Sequence, residues 1–199
     1  MIHQFNVSDE IYNKLMTYSE DKSSDNNHRL AGNLENEFNL KKYSGEIQPF
    51  ILEELYKIKP LMDYFKDLHL LHPKGLPLTL SDLWVNHQKK YEFNPFHNHS
   101  GVFSFIIFLK IPYTSEEQSL ISPGKKSNGD KAGKLCFYYL DQNKEGGINQ
   151  LTLDVDKKWE RTGLIFKSSL NHVVWPFYSD GIRITVSGNL LMDSSNARG

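Results

Sequence analysis

Apolar positions in the first third of the chain recur at helical spacing. Ile11, Leu15, Met16 and Tyr18 stand at three- and four-residue steps behind Ser8 and Asp9, residues suited to capping a helix N-terminus. The polar stretch 21–28 predicts a loop. Between Glu46 and His72, residues Phe50, Ile51, Leu55, Ile58, Leu61, Met62, Phe65 and Leu68 mark one helical face, which needs another layer to cover it. Pro60 should kink or divide this helix, because proline lacks the amide donor and clashes with the preceding turn. Residues up to about 75 thus predict a helical buttress.

From about Leu76 the pattern shortens to β-type runs over 78–87, 103–111, 135–140, 151–155, 163–167, 173–177 and 183–190. Aromatic and β-branched residues enrich them, and Gly, Pro, Asn and Asp punctuate them. Seven or so short strands after a helical segment predict a sandwich or jelly roll with helices packed outside. The stretch 115–133, rich in Ser, Gly, Lys and Glu, is the longest candidate loop of the β half. At 199 residues the chain fits a single domain, with a helical part to about 75 and a β core over about 76–193.

Composition narrows the function classes. Lys plus Arg (23) nearly cancels Asp plus Glu (24), for a net charge of -1, so no basic surface for nucleic acid or a membrane is expected. The single cysteine, Cys136, excludes an internal disulfide and a Cys-rich zinc module. The N-terminal residues lack a signal-peptide pattern, and no apolar run has membrane-spanning length. A soluble, cytoplasmic protein is the expectation, with its oligomeric state open.

The densest chemistry lies in 91–101, YEFNPFHNHSG. On a strand, His97 and His99 would point to the same face, since side chains alternate with a period of two. Two imidazoles so placed can chelate one divalent metal, and a third, His172, opens a later strand. Imidazole suits iron, zinc, copper or nickel. In the run 181–189, GIRITVSGN, alternation puts Arg183, Thr185 and Ser187 on one face and Ile184 and Val186 on the other. A guanidinium turned into a barrel needs an anion, because an unpaired buried charge is costly. Its fork can grip a carboxylate bidentately.

These motifs resemble those of the Fe(II)/2-oxoglutarate-dependent oxygenases, in particular the small type found in phages and marine bacteria. HNH at 97–99, followed by the apolar strand FSFIIFLKIP at 103–112, is similar to the first metal motif. The segment 163–177, GLIFKSSLNHVVWPF, and RITVSGN at 183–189 resemble the distal-His and 2-oxoglutarate-Arg signature. LAGN at 30–33 resembles a segment upstream of the barrel in this type. The resemblance implies a double-stranded β-helix and the cofactors Fe(II), 2-oxoglutarate and O2. It also implies oxidative decarboxylation of 2-oxoglutarate to succinate coupled to hydroxylation of a prime substrate. On it, His97 is a first iron ligand, His172 the distal one, and Arg183 binds the far carboxylate of 2-oxoglutarate beside Thr185. Tyr91 or Asn86 would help to hold the same cosubstrate.

Position 99 departs from the usual pattern, being His where most of the superfamily has Asp or Glu. Three readings are open: a three-His site of His97, His99 and His172; a shifted motif with His99 first and Gly101 at the carboxylate position, as in iron halogenases; or a remote acid such as Glu92 or Asp141. The alternative functions are a cupin-like three-His dioxygenase without 2-oxoglutarate and a non-catalytic jelly-roll binding module. Plainer roles are expected elsewhere. His69 and His72 would end a helix, and His87 would lie on a strand surface or line the mouth. Trp84, Trp159 and Trp175 would pack in the core, with Trp175 beside Pro176 a candidate pocket wall, and Cys136 would be a small core residue.

Overall fold

A computed structural model describes residues 2–59, 63, 78–141, 143 and 145–193. Two antiparallel sheets face each other. The larger runs β1 (Ile2–Asn6), β8 (Thr162–Lys167), β5 (Phe103–Lys110), β10 (Ile182–Met192), β3 (Leu78–Lys89) and β2 (Glu37–Asn39) in spatial order. The smaller runs β4 (Asn94–His97), β9 (Asn171–Val174), β6 (Leu135–Leu140) and β7 (Ile148–Leu153). This is a double-stranded β-helix, as the resemblance implied.

Alternation along the strands builds both layers of the core. Val85 of β3, Ile107 of β5, Ile165 of β8 and Val186 of β10 turn outward. There they meet Leu15 of α1 (Asp9–Ser19) and Ile47, Ile51 and Leu55 of α2 (Ser44–Tyr56). Ser8 caps α1, its Oγ accepting from the Ile11 N–H at 3.4 Å, with Asp9 and Glu10 in the first turn. Facing inward, Phe108, Phe137, Leu164, Phe166 and Phe177 form a second cluster between the sheets. The buttress and the strand phases thus follow the sequence pattern.

Four features depart from it. The N-terminal part contributes two strands, β1 and β2, to the larger sheet, completing its two edges. The segment expected to be all loop opens with α3 (Ser115–Ile121), capped by Thr114 Oγ1 on the Glu117 N–H at 3.2 Å. α2 starts earlier than expected, at Ser44, while Pro60 and the pair His69 and His72 lie outside the described residues. His87 is buried rather than superficial: it lies on the helix-facing side of β3, with Nε2 2.8 Å from the Ser19 carbonyl of α1. Among the described residues, no helix is long and apolar enough to cross a membrane.

Candidate metal centre

The smaller sheet brings the histidines together. β4 and β9 are antiparallel neighbours with His97 opposite His172. His99 lies beyond the end of β4, in the connection to β5, where its backbone N–H donates to the Ser168 carbonyl at 2.9 Å. It nevertheless reaches the pair. One potential ligand atom from each of His97, His99 and His172 falls within 4.8 Å of the others, and the Nε2 atoms of His99 and His172 are 3.3 Å apart.

Two rings are fixed from behind. His97 Nδ1 is 2.6 Å from the Pro95 carbonyl and His172 Nδ1 is 3.0 Å from that of Leu170. A carbonyl can only accept, so Nδ1 carries the proton and Nε2 presents its lone pair, the usual orientation behind a metal-bound histidine. Burial lowers the pKa of all three imidazoles below the ordinary 6.5, with mutual repulsion adding to it for His99 and His172. His99 falls to about 4 and His172 to about 3. At neutral pH the cluster is therefore three uncharged donors, the form that ligates.

Among the described residues, the two acids of the remote-carboxylate reading are engaged away from the histidines. Glu92 accepts the backbone N–H groups of Glu35 at 3.0 Å and Lys89 at 2.7 Å. Asp141 accepts the N–H of Asn143 at 2.9 Å, at the end of the β6–β7 hairpin. Gly101 has φ +105°, and a side chain there would meet the Leu190 carbonyl at 2.7 Å. Its glycine serves the turn.

Deeper in the barrel lies Arg183, only 2% exposed. It shares one cavity with the three histidines, Asn86, Thr185 and Ser187. Its hydrogen-bond partners among the described residues are neutral. Nη1 donates to Tyr113 Oη at 2.6 Å and the Gly133 carbonyl at 3.2 Å, while Nε donates to Gln88 Oε1 at 3.0 Å and Nη2 bonds the same oxygen. A buried cation without a counter-charge is a site waiting for an anion. Asn86 Oδ1, buried in the same cavity, also lacks a hydrogen-bond partner among the described residues. Phe108, Phe137, Phe166 and Val174 supply apolar wall. Trp84 is buried, as expected, and also lines this cavity, while Trp175 lines a separate one beside 122–132.

One predicted site residue is misplaced. Tyr91 sits in the turn after β3 with φ +71° and is 62% exposed, its ring against Tyr178 rather than in the cavity. The phenol that does reach Arg183 is Tyr113, which the sequence reading missed along with Gln88. Gln88 continues the period-two series Trp84, Asn86, Gln88 that faces the cavity, a signal available in the sequence. Tyr113 follows Pro112 beyond β5, where no periodicity marks it.

Residues 82–189, more than half of the chain, match the protein family described as "Putative 2OG-Fe(II) oxygenase". The chain belongs to that family. Membership implies Fe(II), 2-oxoglutarate and O2, and the donor set fits: three neutral imidazoles close enough to share a metal, and a buried guanidinium without an anion in the same cavity.

No curated protein matches the sequence. Among solved structures, the chain is similar to a prolyl-4-hydroxylase of Pseudomonas putida (11% identity, TM-score 0.50, covering 94% of this chain and 90% of that one). It is also similar to a Trichoplax adhaerens prolyl hydroxylase solved with a hypoxia-inducible-factor peptide fragment (10%, TM-score 0.51, 98% and 86%). Against a 2OG-Fe(II) oxygenase-family oxidoreductase of Burkholderia pseudomallei it spans only 49% of that chain and 65% of its own, at 13% identity and TM-score 0.38. At these identities the likeness concerns the fold alone.

Proposed function

We infer that the protein is an Fe(II)- and 2-oxoglutarate-dependent oxygenase with a three-His centre. His97, His99 and His172 would hold iron through Nε2, and Arg183 would take the far carboxylate of 2-oxoglutarate. When bound, the pair supplies activation of O2, with oxidative decarboxylation of 2-oxoglutarate to succinate coupled to hydroxylation of a prime substrate. Thr185 and Asn86 stand beside Arg183 in the cavity and are assigned to the cosubstrate with it. Tyr113 and Gln88 would keep the guanidinium aimed, since both hydrogen-bond it and neither neutralises it. The carbonyls of Pro95 and Leu170 hold the His97 and His172 rings in the ligating tautomer. Phe108, Phe137 and Phe166 keep water from the reacting end.

The observation that carries this reading is Arg183. A three-His dioxygenase acting without 2-oxoglutarate would account for His99 equally well, but would leave a buried cation without a function. The test is an anaerobic titration of the Fe(II)-loaded protein with 2-oxoglutarate, following the visible charge-transfer band of the chelate. A saturable band lost in Arg183→Ala is the expected result. Bound iron with no band overturns the 2-oxoglutarate assignment in favour of the cosubstrate-free dioxygenase. A protein that takes up no iron would instead be a jelly-roll binding module.

A further inference from the structure

A second buried ionisable group borders the three histidines. Glu37, at the start of β2, is fully buried at 0% exposure, and neither carboxylate oxygen has a hydrogen-bond partner among the described residues. Its backbone is satisfied: the N–H donates to Asn27 Oδ1 at 3.0 Å, and the carbonyl accepts from the Asn26 N–H at 2.8 Å. The orphaned carboxylate is therefore not a by-product of a loose loop. It lines a pocket whose other walls include His97, His99, Trp84, Asn98 and Asn189. This pocket shares His97, His99, Trp84 and Asn94 with the Arg183 cavity, but Glu37, Leu30 and Ala31 line this pocket and not that cavity, and Arg183 lines only the other.

Three details indicate what the carboxylate meets. It lies outside the cluster that could hold the metal, which among the described residues contains the three histidines only. Glu92 and Asp25 add negative potential around it, and the one cation on the pocket wall, Arg29, is drawn to Asp82 at 3.9 Å. Gly32 packs closely on the Glu37 side chain: a methyl group there would lie 2.5 Å from Glu37 Oε1 and displace the carboxylate. Burying an ionised carboxylate without a partner costs several kcal/mol, so an orphaned carboxylate in negative surroundings fits a cation that donates to both of its oxygens.

We propose that Glu37 is a specificity residue that receives a cationic nitrogen, a guanidinium or an ammonium, of the prime substrate and so presents that substrate beside the three histidines. The assignment of the pocket to the prime substrate rests on the oxygenase reading; the cation preference does not. Glycine at 32, in the LAGN segment, then has a defined purpose, since it shapes the carboxylate's side of the pocket.

The test uses the full chain at pH 8 and two probes of nearly equal shape, N-acetyl-arginine amide and its neutral counterpart N-acetyl-citrulline amide, titrated by NMR. The expected result is that the arginine probe binds at least about tenfold more tightly than the citrulline probe, as a charge-assisted pair requires. Glu37→Gln, checked for folding by its thermal transition, should bring the two probes together. Gly32→Ala should do the same with the carboxylate intact, which keeps the test valid if Glu37→Gln does not fold. Equal binding of the probes to the parent protein, or a preference that survives the variants, overturns the proposal. So does loss of the Co(II) absorption spectrum in Glu37→Gln, which would make the residue a metal ligand. Binding of Co(II) and 2-oxoglutarate to the parent protein is measured separately, so failure of the oxygenase reading would appear there and not in the probe preference.

Discussion

His97 and His172 face each other across the β4–β9 ladder, with ring centroids 4.3 Å apart. Two imidazoles from paired strands are held by the same backbone hydrogen bonds that make the sheet, so their separation is set before any metal arrives. His99 completes the set from a less regular segment. Replacing His97, His99 or His172 by Ala should weaken Co(II) binding beyond the roughly 10- to 100-fold that loss of an outer-shell partner costs. His99→Asp should retain the metal, because a carboxylate is a competent ligand for the same ion. Titration followed by Co(II) absorption checks both; an undiminished affinity in any Ala variant would remove that histidine from the ligand set.

Tyr113 and Arg183 make a separate prediction. Removing the phenol hydroxyl leaves the two N–H groups of Arg183 Nη1 with only the Gly133 carbonyl, and an unsatisfied buried donor costs on the order of 1–3 kcal/mol. Tyr113→Phe should lower the stabilisation of the protein by 2-oxoglutarate, and Arg183→Gln should abolish it. Metal binding should survive both changes. Melting temperatures with and without 2-oxoglutarate, at fixed Mn(II), give the comparison.

The pH dependence of the metal-free protein has a definite sign. His99 and His172 titrate at about 4 and about 3 when folded, against 6.5 otherwise. Between those values the unfolded chain holds more protons, so their effect is a loss of stability as pH falls from about 6.5 toward 3. Glu37 acts oppositely: burial raises it from 4.5 to about 7, so its favourable contribution is complete below pH 4.5 and is lost as pH rises through 7. Melting curves of chelator-treated protein should lose part of the acid decline in His172→Gln. They should lose the decline between pH 4.5 and 7 in Glu37→Gln.

Gly101 supplies a stability test that also bears on ligand choice. Its φ of +105° disfavours any side chain, and a methyl would press on the Leu190 carbonyl. Gly101→Ala should destabilise the fold by about 1–3 kcal/mol without a direct effect on the ligand set. Denaturant melts and Co(II) titration of the same variant separate the two effects.

The parts of this architecture that were legible in the sequence are those written as a period. The alternation Arg183, Thr185, Ser187 against Ile184 and Val186 predicted which face of β10 meets the cavity and which meets the helices. The two-residue step from His97 to His99 predicted their convergence, although β4 ends before His99 and the connection to β5 completes the approach. What stayed hidden depends on long-range closure. β1 carries His3, Gln4 and Asn6 and becomes a strand by pairing with β8, 160 residues onward. Glu37 looked like one acid among many until the 26–37 segment folded over the rim and left it without a partner. Tyr91 was misjudged because a left-handed turn residue points its side chain away from where an extended one would.

The uncharged ligand set has a thermodynamic consequence. Three neutral imidazoles bring no anion to a divalent ion, and Arg183 adds a further positive charge to the same cavity. Metal alone would therefore add two positive charges beside that of Arg183, whereas 2-oxoglutarate carries two negative charges that offset two of the three. Each partner relieves the charge imbalance of the other, and linkage requires the relief to be equal in both directions. Ion and cosubstrate should then load as a cooperative pair, with the iron site tightening in proportion to the 2-oxoglutarate available in the cell.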